Sequence, residues 1–304
     1  MKRNLPNATD KRFLVFAGTG TDLIFNRGID LPGFASFPLV NNPTAQPVLV
    51  QQMRELMAVA NGAGMGAILD TPTWMASRDR AAPLGYDTET LATINQAAVA
   101  MMREMRDASE TNDVLLALCL GPARDPYTTL DPLDVETARS YHREQLGWVA
   151  DAGLDLVNAY TFNQVQEAAG AALAAGDLGL PIAVSLVVET DGRLHNGQSL
   201  AEALDEIDAL TNTAPQYFMV NCAHPAHFSA TLPDNPRLKG VVVNASRCSH
   251  AELDDATELD DGDPDELGKE VAKLIAEHPH LSVLGGCCGT DMRHLGRIAA
   301  GVTA

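Results

Sequence analysis

Basic residues are scarce in this chain. It carries 21 Lys and Arg against 40 Asp and Glu, a formal net charge of −19. A surface of that sign repels nucleic-acid phosphates and anionic lipids, which argues against both as partners. No apolar run approaches the ~20 residues that a membrane-crossing helix needs. The N-terminal Met1-Lys2-Arg3-Asn4-Leu5-Pro6 has basic residues but no apolar stretch of the secretory-leader type. Aromatics make up only 5% of the chain, so a cage of rings around a quaternary ammonium, which Trp74 and Tyr160 would have to build, has thin support. Gly18-Thr19-Gly20 lacks the third glycine and the acidic partner of a dinucleotide fingerprint. The five cysteines are an odd number without the short paired spacings of zinc fingers. Together with the missing leader they predict a reducing, cytoplasmic setting.

What is present is a large apolar fraction, 46% of 304 residues, enough for one core and one domain spanning residues 1–304. Short apolar runs at Arg12–Ala17, Met65–Leu69, Val114–Leu120, Asp155–Asn158, Pro181–Val187, Tyr217–Asn221, Gly240–Asn244 and Ser282–Gly285 read as strands. Segments with helical spacing alternate with them: Thr44–Asn61, Glu89–Ala108, Pro132–Ala150, Gln164–Ala175, a helix opened by Ser199 with Glu202 as its capping-box partner, Pro264–Glu277 and Asp291–Ala300. The methionines of Glu89–Ala108 read as core filler. Eight strand–helix units in this length predict a parallel sheet closed into a (β/α)8 barrel, with the site at the C-terminal strand ends. Glu252 to Asp265 holds eight carboxylates and is expected to be a solvated loop before a late helix.

Two strand ends carry cysteines. The last strand runs into Gly285-Gly286-Cys287-Cys288-Gly289-Thr290. The glycines allow a tight bend, and adjacent cysteines are poorly placed to bond to each other. The sixth strand ends in Asn221-Cys222-Ala223-His224-Pro225. On one barrel face, Cys222, Cys287 and Cys288 would converge and leave one position of a tetrahedral metal open, as a catalytic zinc site requires. Cys248 follows the seventh strand and is a spare thiol or a fourth ligand. Cys119, inside the third strand, reads as a small buried hydrophobe. His224 and His227 read as helix-start or pocket residues.

A strand ending in Asn-Cys followed by a late Gly-Gly-Cys-Cys-Gly-Thr resembles the homocysteine S-methyltransferases, and the likeness runs from about Phe13 to Ala300. The resemblance implies a zinc-dependent (β/α)8 barrel with Cys222, Cys287 and Cys288 as ligands. It implies methyl transfer to a thiol and no general base beyond the metal site. Its small-molecule partners would be a thiol acceptor, by default homocysteine giving methionine, and a sulfonium or quaternary ammonium donor. Betaines, S-methylmethionine and S-adenosylmethionine all qualify as donors. The acceptor would meet Ala17, Gly18, Thr19, Tyr160 and Asn221.

Two positions depart from the family pattern. The first strand of the family ends in Asp-Gly, here Ala17-Gly18, and its fourth is followed by Glu-Thr, here Tyr160-Thr161. In the family both carboxylates contact the amino group of homocysteine. Their joint loss leaves three expectations open: a thiol without an amino group, a different binding pose, or Asp70 as the replacement charge. A non-catalytic zinc- or thiol-binding homologue is the rival reading. A zinc hydrolase ranks last, because three thiolates make the metal a poor acid.

Overall fold

The structure, a computed structural model, describes residues 3–111, 113–127 and 132–303. Met1 and Lys2 of the basic N-terminus and Ala304 lie outside them.

Eight strands form one closed barrel in chain order. They are β1 (Phe13–Phe16), β2 (Gly66–Asp70), β3 (Val114–Leu120), β4 (Leu156–Phe162), β5 (Ile182–Leu186), β6 (Tyr217–Asn221), β7 (Leu238–Val243) and β8 (Val283–Gly286). All neighbours pair in parallel, and β8 closes onto β1 with Val283 opposite Phe13 and Gly286 opposite Phe16. Parallel strands covered on both faces must be apolar on both, which is why these segments read as runs rather than as alternations. One set of side chains, Leu14, Leu116, Val157, Val184, Val241 and Leu284 among them, packs outward against helices. The alternate set, including Val15, Ile68, Ala117, Leu156, Ala183, Met219 and Val242, fills the barrel.

Two residues further along the inward-facing set, the character changes. Ile68, Leu156, Ala183, Met219 and Val242 are followed at that interval by Asp70, Asn158, Ser185, Asn221 and Asn244, all buried. Successive side chains in a strand alternate between faces, so these polar groups form one ring above the apolar floor.

The wall helices are α1 (Gln46–Gly62), α2 (Thr88–Asp107), α3 (Val135–Val149), α4 (Val165–Asp177), α5 (Leu200–Thr211), the one-turn α6 (Pro225–Phe228), α7 (Pro264–Glu277) and α8 (Met292–Thr303). Several start on side-chain caps: Asp87 accepts from Thr90, Asp134 from Thr137, and Ser199 forms the expected capping box with Glu202. Among the described residues no helix is long and apolar enough to cross a membrane.

The expected order of elements is the observed one, and two boundaries move in ways that matter. β2 reaches Asp70 and β4 reaches Phe162, so Asp70, Tyr160 and Thr161 stand on strands rather than on loops. Every residue of the longer β4 is buried, although polar Asn158 reads as a strand end in the sequence. The acidic segment also departs from the expectation. Its start is a short helix, His250–Asp254, with its own capping box, and only the remainder is irregular.

Gly170 shows how tightly the wall is packed. A Cβ there would stand 2.5 Å from Ala138 Cβ and 2.6 Å from the Val135 carbonyl oxygen. Gly147 on α3 is also helical, yet nothing lies within 4 Å of its would-be Cβ. The two substitutions should therefore differ in sign. Gly170→Ala should destabilise by about 1–3 kcal/mol through overpacking, whereas Gly147→Ala should stabilise by about 0.4–1 kcal/mol through the lost backbone freedom of glycine. Urea unfolding of both variants checks this; equal effects would show that α3 and α4 are not packed in this way.

Candidate functional site

The β8 turn is built by close backbone approaches. A Cβ on Gly286 would meet Thr290 Oγ1 at 2.2 Å, and Gly289 has φ +78°, so both positions demand glycine. Thr290 then closes the turn, its Oγ1 donating to the Cys287 carbonyl at 2.6 Å. The end of β1 lies against this turn. A Cβ on Gly18 would stand 2.5 Å from the Cys287 carbonyl oxygen, and the Gly289 amide donates to Thr21 Oγ1 at 3.1 Å.

Opposite, Cys222 follows β6 in a left-handed conformation, φ +57°, and Thr161 on β4 has φ +67°. Such backbone is costly for residues with side chains, most of all for a β-branched threonine. Asn221 holds both in place. Its Oδ1 accepts from the Thr161 amide at 2.9 Å and from Ser185 Oγ at 2.7 Å, and its Nδ2 donates to Thr161 Oγ1 at 2.9 Å. The same Nδ2 points at Cys287 Sγ, 4.0 Å away.

These turns bring together the Sγ atoms of Cys222, Cys287 and Cys288, all within 4.8 Å of one another. Cys222 and Cys288 Sγ are 3.6 Å apart, and all five cysteines are free thiols. Hydrogen bonds from Cys287 and Cys288 hold the Cys222 thiol well below its ordinary pKa. Hydrogen bonding to Cys222, with burial, pushes Cys287 and Cys288 well above theirs. A buried trio that favours one thiolate attracts a thiophilic cation. Another cluster of ligand type, Asp234, His278 and His280, sits at the opposite, N-terminal ends of β7 and β8, with Asp234 almost fully exposed.

The sulfurs floor a pocket of about 510 Å³, which Ala17, Thr19, Asp70, Tyr160 and Asn221 also line. Phe16, Ile24, Phe34 and Leu253 give it an apolar wall. Exposed Asp125, Asp254, Glu258 and Asp260 stand around it. Three of these four belong to the acidic segment, which is thus part of the pocket as well as a solvated loop. Cys119 also departs from the expected buried hydrophobe: it is half-buried and lines the pocket. Trp74 and Tyr160 both line the cavity, but Arg80 stacks over the Trp74 ring at 4.8 Å, so that ring already holds a cation of the chain itself.

Cys248 is exposed, with its sulfur 3.9 Å from Asp260 Oδ2, and is not part of the trio. His224 caps α6 by accepting from the Ala226 amide at 3.1 Å, and burial lowers its pKa to about 4. His227 Nε2 meets the Arg247 carbonyl at 2.8 Å.

Sequence reasoning missed Tyr127 and His250. Tyr127 places its hydroxyl 3.0 Å from Cys222 Sγ and packs on the His250 ring at 4.7 Å. His250 Nε2 lies 2.7 Å from the Cys222 carbonyl oxygen. Tyr127 sits on an irregular segment and His250 opens the short helix His250–Asp254, and no periodicity marks either. Asp70, which the sequence offers as a replacement charge, is buried and accepts from Asn158 Nδ2 at 2.8 Å and from the Tyr160 hydroxyl at 3.0 Å. Burial raises its pKa to about 7, with the Asn158 and Tyr160 hydrogen bonds opposing.

Comparison with known proteins bears on this arrangement. The chain matches the family model described as homocysteine S-methyltransferase over residues 17–302. It is 26% identical over 228 residues to the methionine synthase of Mycobacterium leprae, and 25% over 238 residues to that of Mycobacterium tuberculosis. Each match covers 71% of this chain but only 18% and 19% of those relatives, so the chain spans less than a fifth of their length. Among solved structures, the metallated form of the homocysteine methyltransferase MmuM from Escherichia coli superposes with a TM-score of 0.73 at 19% identity, covering 96% of both chains. Its oxidised form gives 0.72 at 21% identity, over 98% of this chain and 99% of that one. These likenesses speak to the fold. The family match reaches from the end of β1 into α8 and takes in every strand end at the barrel mouth, and on that extent the chain belongs to the homocysteine S-methyltransferase family.

Proposed function

We propose that the chain is a zinc-dependent thiol S-methyltransferase that moves a methyl group from a small sulfonium or quaternary ammonium donor onto the thiol of homocysteine, with residues 1–304 acting as one domain. The observation that carries this reading is the meeting of Cys222, Cys287 and Cys288 at the floor of the pocket.

The three residues fit the ion. Zinc lies about 2.3 Å from thiolate sulfur in a tetrahedral site, which sets neighbouring sulfurs about 3.8 Å apart. Cys222 and Cys288 are 3.6 Å apart, far beyond the ~2.05 Å of a disulfide. Three protein ligands leave a position open to the pocket. When bound, zinc supplies an electrophile that stabilises the acceptor as thiolate near neutral pH.

The rest falls to the chain. Asn221 keeps Thr161 and Cys222 in their left-handed turns and so aims Cys222 inward. Tyr127 places a hydroxyl 3.0 Å from the Cys222 sulfur, where donation steadies a thiolate. The backbone at Ala17, Gly18 and Thr19 borders the space for the acceptor's carboxylate end. The apolar wall excludes water. Attack of an anionic sulfur on the methyl of a cation breaks the bond to the departing sulfide or amine and leaves both products without those charges. A dry cavity favours such a charge-cancelling step. The carboxylates at Asp125, Asp254, Glu258 and Asp260 raise the local concentration of a cationic donor.

Two outcomes are expected. Purified wild type should hold about one zinc per chain by metal analysis, and Cys287→Ala should lose most of it, because a tetrahedral site with two protein ligands remaining is weak; full retention in the variant would remove the proposed centre. Replacing Asp254 and Glu258 by Asn and Gln should raise the KM of a cationic donor several-fold and flatten its dependence on salt, while kcat stays near wild type. Assay of methionine formation from homocysteine with a donor panel tests this, and no transfer from any donor by zinc-loaded protein would favour a binding homologue.

A further inference from the structure

We infer that Asp70 is the counter-ion for an ammonium group on the thiol acceptor, so that the inner end of the pocket is a subsite for an amino acid thiol; this rests on the thiol-acceptor reading above.

The inference starts from an imbalance. Asp70 is 8% exposed and lines the pocket. Its two hydrogen-bond partners, Asn158 Nδ2 and the Tyr160 hydroxyl, are neutral donors, and among the described residues no cation pairs with it. The other buried carboxylate beside β1, Asp22, is treated differently: Arg27, Gln52 and Asn26 all donate to it. A buried carboxylate with no cation is costly, and burial displaces its titration to about 7. Such a group is satisfied either by protonation or by a cation that supplies the missing charge.

Asn158 gives its Nδ2 to Asp70 and keeps its Oδ1 buried without a donor, but it does not line the cavity, so Asp70 is the acceptor that a ligand there would meet. An ammonium supplies both an N–H donor and the positive charge that the carboxylate lacks, whereas an uncharged hydroxyl supplies only the donor.

The position suits an acceptor held at the sulfurs. Cys119 is the next inward residue on β3 and lines the same pocket as Asp70 and the trio, and its thiol is raised by burial first and then by Asp70 and Cys287. The remaining carboxylates lining the pocket, at Asp125, Asp254, Glu258 and Asp260, are exposed. At β1 the residue is Ala17 and at the end of β4 it is Tyr160, neither of which can carry a negative charge near neutral pH. Tyr160 instead serves as a positioning residue that fixes the Asp70 carboxylate.

The test is titration calorimetry of zinc-loaded protein with L-homocysteine and with 4-sulfanylbutanoate, the same thiol acid without the amino group. Wild type should bind homocysteine more tightly. Asp70→Asn, which keeps the shape and the Asn158 contact, should weaken homocysteine about tenfold or more and change 4-sulfanylbutanoate about twofold at most. Equal weakening of both thiols, or of neither, overturns the assignment while leaving thiol binding intact. A wild type that prefers the amine-free thiol also overturns it. A wild type that binds neither thiol overturns the thiol-acceptor reading, and this assignment with it.

A measurement without ligand gives a second check. The folded-state pKa of Asp70 lies above its unfolded value, so its contribution to stability is full below about pH 4 and is lost as pH rises through about 7. The titratable groups facing it, Cys119 on β3, Tyr160 on β4 and Tyr217 on β6, are all raised by burial first and stay neutral across that window. Asp70→Asn should therefore melt a few degrees above wild type at pH 8, with the gap clearly narrower at pH 5. A gap that is absent, or the same at both values, means that the carboxylate already has its cation, and the assignment falls.

Discussion

The side-chain amide of Asn221 is the constraint on which the site depends. From the end of β6 it bonds to Thr161 on β4 and Ser185 on β5, and it points at Cys287 beyond β8. Two residues in left-handed backbone, Thr161 and Cys222, flank it. Each conformation costs free energy that a free loop would release. A buried amide with both ends engaged keeps them from relaxing, because withdrawing would strand polar atoms in a dry interior. The direction of the Cys222 thiol is therefore set by hydrogen bonds made across three strands, and the other two thiols by the packed turn of β8 against Gly18.

The inner ring and the exposed carboxylates handle charge in opposite ways. Asp125, Asp254, Glu258 and Asp260 are exposed, where water screens them and where they cost little. Asp70 is buried, where an unmatched charge is expensive. Expense of that kind is common at sites that bind charged ligands, since a group left unsatisfied in the free protein gains most when its partner arrives. The same logic separates Asp22, tied to Arg27 and structural, from Asp70.

Much of this was legible in the chain, for physical reasons. Parallel strands covered on both faces leave unmistakable apolar runs, and β3 and β6 agree with their expected bounds to the residue. The Gly-Gly-Cys-Cys-Gly-Thr turn was readable because its glycines are forced by contacts under 3 Å. The site beyond the cysteines was harder. Asn158 and Tyr160 look like the end of a strand because polar residues usually are, whereas here they continue β4 into a polar ring. Tyr127 reaches Cys222 from an irregular segment and His250 from the start of a short helix, and no local pattern encodes an approach across more than 90 residues for Tyr127. The acidic segment was read for its charge alone, and the apolar Leu253 and Leu259 that turn it towards the cavity carried no periodicity.

Three thiolates rather than three imidazoles also set what the centre can do. Thiolates donate enough charge to blunt the acidity of a bound metal, so it is a weak activator of water and still a good partner for soft sulfur. The surrounding cavity reinforces that choice. Its wall at Phe16, Ile24, Phe34 and Leu253 is apolar, and the trio itself is buried or half-buried. Water as a competing nucleophile is thereby disfavoured twice, by the ligands and by the wall. On the proposed reading, a thiol with an ammonium group would find the sulfurs at one end and Asp70 at the other. Hydrolysis and methyl transfer could both be imagined on a barrel of this fold, and it is the donor set and the dryness of the pocket, not the barrel, that separate them.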